Sequence, residues 1–365
     1  MAYIHPKGSP SSRIWVIADT PLSTDISKGF MFSGGLGYVF DKMMRDANIN
    51  DYYVCARRPN TDDPTSYSVV ESSLNHHQPP FIIAMDKVGE YFCDSLKMQK
   101  KQKSFKGQLN KYFGSLLIAD NNLLSYPHYI FPLAAPDFYV SNWSERNITT
   151  YFDLAKLREE LDYWRKNGTI QPLPFRELIY KDLELDELLR YLHKLKQASL
   201  ISVDIETCYP KGDSDFKPHP GYPITIGIAD SPYFGISFNL FRENKFETVL
   251  LWRELNDLLR SVPNLGQNYF NFDSHFLQAL GFQIDLGKVQ DTLIRHHILW
   301  PELQHKLQFQ TRQYTREPYY KDEGHGWNYK NMNKLRRYNC LDVCVTYEIY
   351  IQQEEEFKER SYLAA

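Results

Sequence analysis

The feature that most constrains this chain is the strand-like run Ser199-Leu-Ile-Ser-Val-Asp-Ile-Glu206, an apolar segment that ends in two carboxylates. Asp204 and Glu206 alternate, so both side chains leave the same face of the strand. Carboxylates beside the apolar Leu200–Val203 are expensive to bury without cations. A fold containing this strand must therefore bring positive charge to one end of a sheet.

Two further acids lie at informative positions. Asp273 follows Gly266-Gln-Asn-Tyr-Phe-Asn-Phe272, where the spacing of Asn268, Phe272 and Asp273 marks a helix start; an acid there also suits an N-cap. Asp342 lies four residues after Tyr338, one helical turn, so the two point the same way. Phosphodiester hydrolysis needs charge neutralised on both the attacking and the leaving oxygen, which two divalent ions ~3.5–4 Å apart achieve. Hard cations such as Mg²⁺ take carboxylate oxygens, and four acids supply them.

The chain has 365 residues, too many for one typical core, which favours two domains. Its net charge of −3 offers no global footprint for nucleic acid, so bound cations or a local patch must provide one. Aromatics make up 15%, which suits base stacking and core packing equally. The five cysteines form no CxxC pair, which excludes a zinc set and speaks for a reducing compartment. No apolar run approaches ~18 residues and no secretory signal opens the chain. The expectation is a soluble cytoplasmic protein with no membrane partner.

Residues 1–12, rich in Pro, Ser and Gly, read as a flexible lead-in. The first block, 13–170, alternates strands and helices: strand Arg13–Ala18, a glycine-containing loop, helix Tyr38–Ala47, strands Asp51–Cys55 and Phe81–Ala84, the apolar run Tyr129–Leu133 and helix Leu154–Lys166. That alternation predicts an α/β fold with a largely parallel sheet. Pro172 and Pro174 place a linker with a connecting amphipathic helix at 171–197. The second block, 198–365, opens with strand Ser199–Ile205. Pro223–Ala229 and Tyr233–Asn239 follow as a hairpin, then helices at Phe246–Arg260, Asp273–Leu280, Asp291–Leu299 and Lys334–Glu356.

The acids in this order resemble the DEDD exonuclease superfamily in its tyrosine-bearing branch. Asp204/Glu206 are similar to the first exonuclease motif, Asn268…Phe272-Asp273 to the second and Tyr338-Asn-Cys-Leu-Asp342 to the third. The histidine branch would carry His at 337, where this chain has Arg337. The stretch from Leu307 to Glu323 looks further like proofreading domains of phage-type family A DNA polymerases. The resemblance implies a ribonuclease-H-like α/β domain that removes nucleotides from a single-stranded DNA 3′ end. It implies two Mg²⁺ ions, for which Mn²⁺ can substitute, and a DNA polymerase or polymerase domain as partner. Asp204 would bridge both metals, Glu206 and Asp342 would hold the metal that activates water, Asp273 would complete the second site, and Tyr338 would orient the water. Asn268 and Phe272 read equally as contacts to the terminal nucleotide or as capping and core residues. The chain would be a separate exonuclease subunit or the front of a longer polymerase, and a viral one would work in the bacterial host cytoplasm.

The first block resembles the uracil-DNA glycosylase superfamily through Val16-Ile-Ala-Asp-Thr-Pro21, the loop Gly29–Gly37 and Asp51-Tyr-Tyr-Val-Cys-Ala-Arg-Arg-Pro59. The resemblance implies Asp19 as a water-activating acid. Two departures count against excision: Ala135 precedes Pro136 where the family carries His, and Leu22 stands where its iron–sulphur type prefers Gly. The block then reads as a non-catalytic module for DNA binding or docking, with Arg57, Arg58 and the five lysines of 97–106 as candidate phosphate contacts. A bifunctional exonuclease and glycosylase, or a silent nucleic-acid-binding scaffold, are the alternatives. Cys340 and Cys344 read as packing residues, His296-His297 as structural, and Asp291 as a helix cap.

Overall fold

The computed structural model describes residues 3–58, 67–95, 109–118, 124–137, 143–208, 221–324 and 332–364. The lysines of 97–106 lie outside the described residues. The chain divides into two compact units, Met1–Pro172 and Leu173–Ala365. Both are α/β. Among the described residues, no helix is long and apolar enough to cross a membrane.

The first unit runs β1 (Ile14–Ala18), α1 (Ser23–Lys28), α2 (Gly35–Asp46), β2 (Tyr53–Ala56), α3 (Tyr67–His77), β3 (Phe81–Ala84), α4 (Asp86–Ser95), β4 (Leu117–Ile118), β5 (Tyr129–Pro132) and α5 (Trp143–Asn167). Its sheet has the order β2-β1-β3-β5-β4, parallel except for β4 at the edge. The unbroken apolar runs of β1 and β3 are buried along their whole length, as a sheet covered on both faces requires. Helix α2 starts three residues before the expected Tyr38 and takes in Gly35 and Gly37; a Cβ on Gly37 would come within 2.2 Å of the Phe32 carbonyl oxygen, so that position needs glycine. Apolar spacing alone does not register two glycines inside a helix.

The second unit runs β6 (Glu177–Ile179), α6 (Leu185–Leu195), β7 (Ile201–Cys208), β8 (Tyr222–Ser231), β9 (Phe234–Asn239), α7 (Lys245–Ser261), β10 (Asn264–Gly266), α8 (Asp273–Ala279), β11 (Gln290–Asp291), α9 (Thr292–Leu299), α10 (Leu307–Tyr314) and α11 (Met332–Ala364). The sheet order is β11-β10-β7-β8-β9-β6. Strands β7, β8 and β9 pair antiparallel, and β10 and β11 continue the sheet in parallel from β7. This is the order that a ribonuclease-H-like sheet calls for, with the acid-bearing strand at its centre.

The segment 171–197, expected as linker and connecting helix, carries its helix as α6 (Leu185–Leu195), and its residues from Leu173 onward group with the second unit. β6 adds a parallel edge strand to β9, and α6 buries Leu188, Leu192 and Leu195 in the same core as β7–β9. A three-residue edge strand behind two prolines has too little apolar alternation to register as a strand.

Helix α11 lies directly against the sheet because two glycines leave room for it. A Cβ on Gly227 of β8 would stand 2.6 Å from Asn339 Oδ1, and one on Gly235 of β9 would stand 2.7 Å from Cys344 Sγ. Gly227 is the register partner of Asp204, so this close approach sets α11 over the acids of β7.

Candidate active site

Strand β7 presents Asp204 and Glu206 on the face covered by α11, while Val203 and Ile205 turn into the opposite core. One oxygen from each of Asp204, Glu206 and Asp342 lies within 4.8 Å of the others. Asp342 is 3% exposed, so the third acid is supplied from inside the packed helix interface. Tyr338 sits one turn earlier on α11, as expected.

Asp273 lies against the same strand, β7. It is 2% exposed, and its Oδ1 accepts the Ile205 backbone N–H at 2.9 Å. The N-cap of α8 is Phe272, and Asp273 is the first helical residue. The capping role considered for Asp273 is therefore corrected: its side chain is committed to β7, the strand that bears the other two acids.

Burial and mutual repulsion shape the electrostatics. Burial is the larger cause and the Asp342 charge the second in pushing the Asp204 carboxyl up to about 7, against the opposing pull of Lys321 and Asn339. Glu206 is raised well above the usual carboxylate range by burial and then by Asp204 and Asp342. Asp273 is raised by burial and by Asp204, with the Ile205 N–H opposing. Burial also raises the Tyr338 phenol, with the surrounding acids adding to the effect. Such a cluster holds protons or cations at neutral pH.

Three residues of the site carried no assignment from the sequence. Asn339 is fully buried; its Nδ2 donates to Asp204 Oδ2 at 2.6 Å, and its Oδ1 accepts from Ser237 Oγ at 2.7 Å. Tyr320 Oη donates to Asp342 Oδ1 at 2.7 Å. Lys321 Nζ donates to Asp342 Oδ1 and Oδ2 at 2.8 and 2.7 Å and to Tyr338 Oη at 2.9 Å. The Tyr-Tyr-Lys run at 319–321 lies inside the polymerase-like stretch, which was the available signal. Asn339 lay between two residues already singled out.

The loop before α8 is organised by Asp291, which caps α9 by accepting from Leu293 N at 2.9 Å. The same carboxylate accepts from Asn268 N at 2.9 Å and Phe270 N at 3.2 Å. Asn268 takes a left-handed φ of 61°. Phe272 is 37% exposed, with its ring 4.9 Å from that of Phe276, so its surface remains open to a ligand. His296 is fully buried, bonded to His305 Nδ1 at 2.7 Å and Gln313 Oε1 at 2.9 Å, and burial lowers it to about 4. Cys340 and Cys344 are buried in the α11 interface.

In the first unit Asp19 follows β1 and is 7% exposed. Its carboxylate accepts from Arg57 Nη2 at 2.6 Å, Arg57 Nε at 2.7 Å and Arg58 Nη2 at 3.3 Å. The Arg57 guanidinium also lies 4.6 Å over the Tyr67 ring. Arg57 and Arg58, expected as phosphate contacts, and Asp19, expected as a water-activating acid, are thus paired with one another. A buried carboxylate beside two guanidiniums is neutralised most cheaply by pairing. Ala135 is buried, 4% exposed, ahead of Pro136.

The oxygens of Asp204, Glu206 and Asp342 form a hard, all-oxygen donor set, and Lys321 is the one cation hydrogen-bonded to them among the described residues. Divalent ions of the Mg²⁺ type fit such a set; soft metals do not.

No protein-family model matches the chain, and no curated protein matches it. Among solved structures, the chain is similar to the exonuclease domain of Nibbler from Aedes aegypti, at 17% identity over 52% of this chain and 93% of that one, with a TM-score of 0.39. It is also similar to Escherichia coli RNase D, an exoribonuclease involved in structured RNA processing, at 16% identity over 49% of this chain and 45% of that one, TM-score 0.32. The POL domain of Pol1 from M. smegmatis matches at 15% identity over 49% of this chain and 28% of that one, TM-score 0.34. Likenesses at this level say nothing of substrate or activity.

Proposed function

We propose that the second unit is a two-metal 3′→5′ exonuclease that hydrolyses the terminal phosphodiester bond of single-stranded DNA and proofreads for a DNA polymerase. The observation that carries this reading is the convergence of the Asp204, Glu206 and Asp342 oxygens within 4.8 Å at the central strand β7. Asp273 stands against the Ile205 amide of the same strand. Asp204 and Glu206 both interact electrostatically with Asp342 and Asp273, so the four acids form one charge cluster able to hold two ions.

Two hard divalent ions, Mg²⁺ with Mn²⁺ as a substitute, would be held by Asp204, Glu206, Asp342 and Asp273 and would neutralise charge on the attacking and leaving oxygens. The chain's own residues do the rest. Asn339 fixes the Asp204 carboxylate against rotation. Tyr338, with a phenol pKa pushed upward, keeps its proton and acts by orienting the attacking water. Phe272 offers an exposed ring on which a terminal base can stack.

The first unit is read as a non-catalytic glycosylase-like docking module, because the carboxylate that would activate water is paired with two arginines. The experiment for the whole reading is digestion of matched DNA and RNA single strands, labelled at the 3′ or the 5′ end, with and without Mg²⁺. Metal-dependent loss of the 3′ label first, faster on DNA, supports it. Preference for RNA would keep the chemistry and replace the substrate.

A further inference from the structure

We propose that Lys321 is a built-in counter-cation that holds Asp342 and Tyr338 in place and competes with a divalent ion for Asp342. The inference rests on the two-metal reading of the site and deepens it. Lys321 begins a short 3₁₀ turn, Lys321–Gly324, that packs on Tyr338; a Cβ on Gly324 would stand 3.0 Å from the Tyr338 ring. Its ammonium has three hydrogens, and three acceptors surround it: both oxygens of Asp342 and the hydroxyl oxygen of Tyr338. The Nζ also lies 5.0 Å from the Tyr338 ring centre and 5.4 Å from that of Tyr320.

Both Asp342 oxygens are therefore engaged by one ammonium, and Oδ1 also accepts from Tyr320. Of the roughly four lone-pair sites of the Asp342 carboxylate, Tyr320 and Lys321 take three. An ion seated among Asp204, Glu206 and Asp342 would take the one left on Oδ2, directly beside the like-charged ammonium. Each cation then weakens the other's hold on Asp342. A lysine suits this competition. Its ammonium is a compact point charge on a flexible stem, whereas a guanidinium would lock the carboxylate in a planar fork. Without metal, the ammonium offsets part of the repulsion among the three acids. With metal, the contact to Tyr338 can persist and keep the hydroxyl directed at the site. Lys321 is thus a positioning residue, acting through Asp342 and Tyr338.

The test is direct Mn²⁺ binding to the full chain, followed by calorimetry and by the paramagnetic signal of free Mn²⁺, for wild type, Lys321→Met, Lys321→Arg and Asp204→Ala. Coupling between two bound groups in a protein typically changes affinity by about 5–150-fold. Lys321→Met is expected to bind Mn²⁺ about tenfold more tightly, with a lower melting temperature in the absence of metal. Lys321→Arg keeps the charge and should bind no more tightly than wild type. Should Lys321→Met not fold, Lys321→Gln carries the same comparison. Equal or weaker Mn²⁺ binding by the uncharged variant would overturn the inference while leaving the metal site intact. Absence of any binding that Asp204→Ala removes, in wild type and Lys321→Met alike, would remove the metal reading and the inference together.

Discussion

Asn339 Nδ2 lies 2.6 Å from Asp204 Oδ2, and the same amide accepts from Ser237 Oγ at 2.7 Å, so one buried side chain ties α11 to both β7 and β9 at the acidic cluster. The contact is possible because Gly227 has no side chain between them. We predict that Asn339→Ala lowers stability by about 1–3 kcal/mol, the usual cost of leaving buried polar partners unsatisfied. Single-turnover hydrolysis should fall by more than the loss of folded protein explains, because Asp204 then rotates. Urea melts read against rapid-quench rates will check this. An unchanged rate would reduce Asn339 to packing.

The acids make the metal-free fold sensitive to pH. Burial and the Asp342 charge push the Asp204 carboxyl up to about 7 in the folded chain, against an ordinary value of 3.8, and Glu206 and Asp273 move in the same direction. Between those values the folded state keeps protons that the unfolded chain has lost. This contribution is therefore fully present below pH ~4 and is lost as the pH rises through ~7. We expect metal to stabilise the protein increasingly over the same window, because coordination requires the deprotonated carboxylates. Thermal melts with EDTA and with Mg²⁺ between pH 4.5 and 8 will measure it. Parallel curves would contradict it.

Tyr338→Phe should retain Mn²⁺ binding and slow the chemical step by about one to two orders of magnitude, the scale of a lost orienting contact. The hydroxyl it removes accepts from Lys321 at 2.9 Å. If single-turnover rates match wild type, the ring is the functional part of this side chain.

The first unit should not excise uracil at a useful rate. Asp19 is paired with Arg57 and Arg58, and Ala135 stands where a donor against the leaving uracil ring is expected. A preorganised donor of that kind is worth ~3–4 kcal/mol, or roughly two to three orders of magnitude in rate. Alkali cleavage of uracil-containing DNA after incubation with the full chain provides the assay. Efficient cleavage that disappears with Asp19→Ala would make the protein bifunctional.

Asp204, Glu206 and Asp342 were legible because strand alternation and helical spacing each predict a shared face, and the structure brings their oxygens together. Lys321 was not, because its meeting with Asp342 depends on the path of the turn after α10, which no periodicity records. β10 and β11, of three and two residues, are too short to leave an alternation. The hairpin of β8 and β9 was readable from two apolar runs, whereas β6 was hidden behind Pro172 and Pro174. Opposite charges at Asp19 and Arg57 are visible in the sequence, but a separation of 38 residues gives no sign that they pair.

The most direct measurement is release of the 3′-terminal nucleotide from labelled single-stranded DNA by wild type and Asp204→Ala at saturating Mg²⁺. Asp204 is the carboxylate proposed to be shared between the two ions, so its loss should disable both ion positions at once. We predict stepwise 3′→5′ release by wild type that stops with EDTA, and no detectable release by a folded Asp204→Ala protein. A variant that digests at the wild-type rate, with contaminating nuclease excluded, would contradict the two-metal assignment.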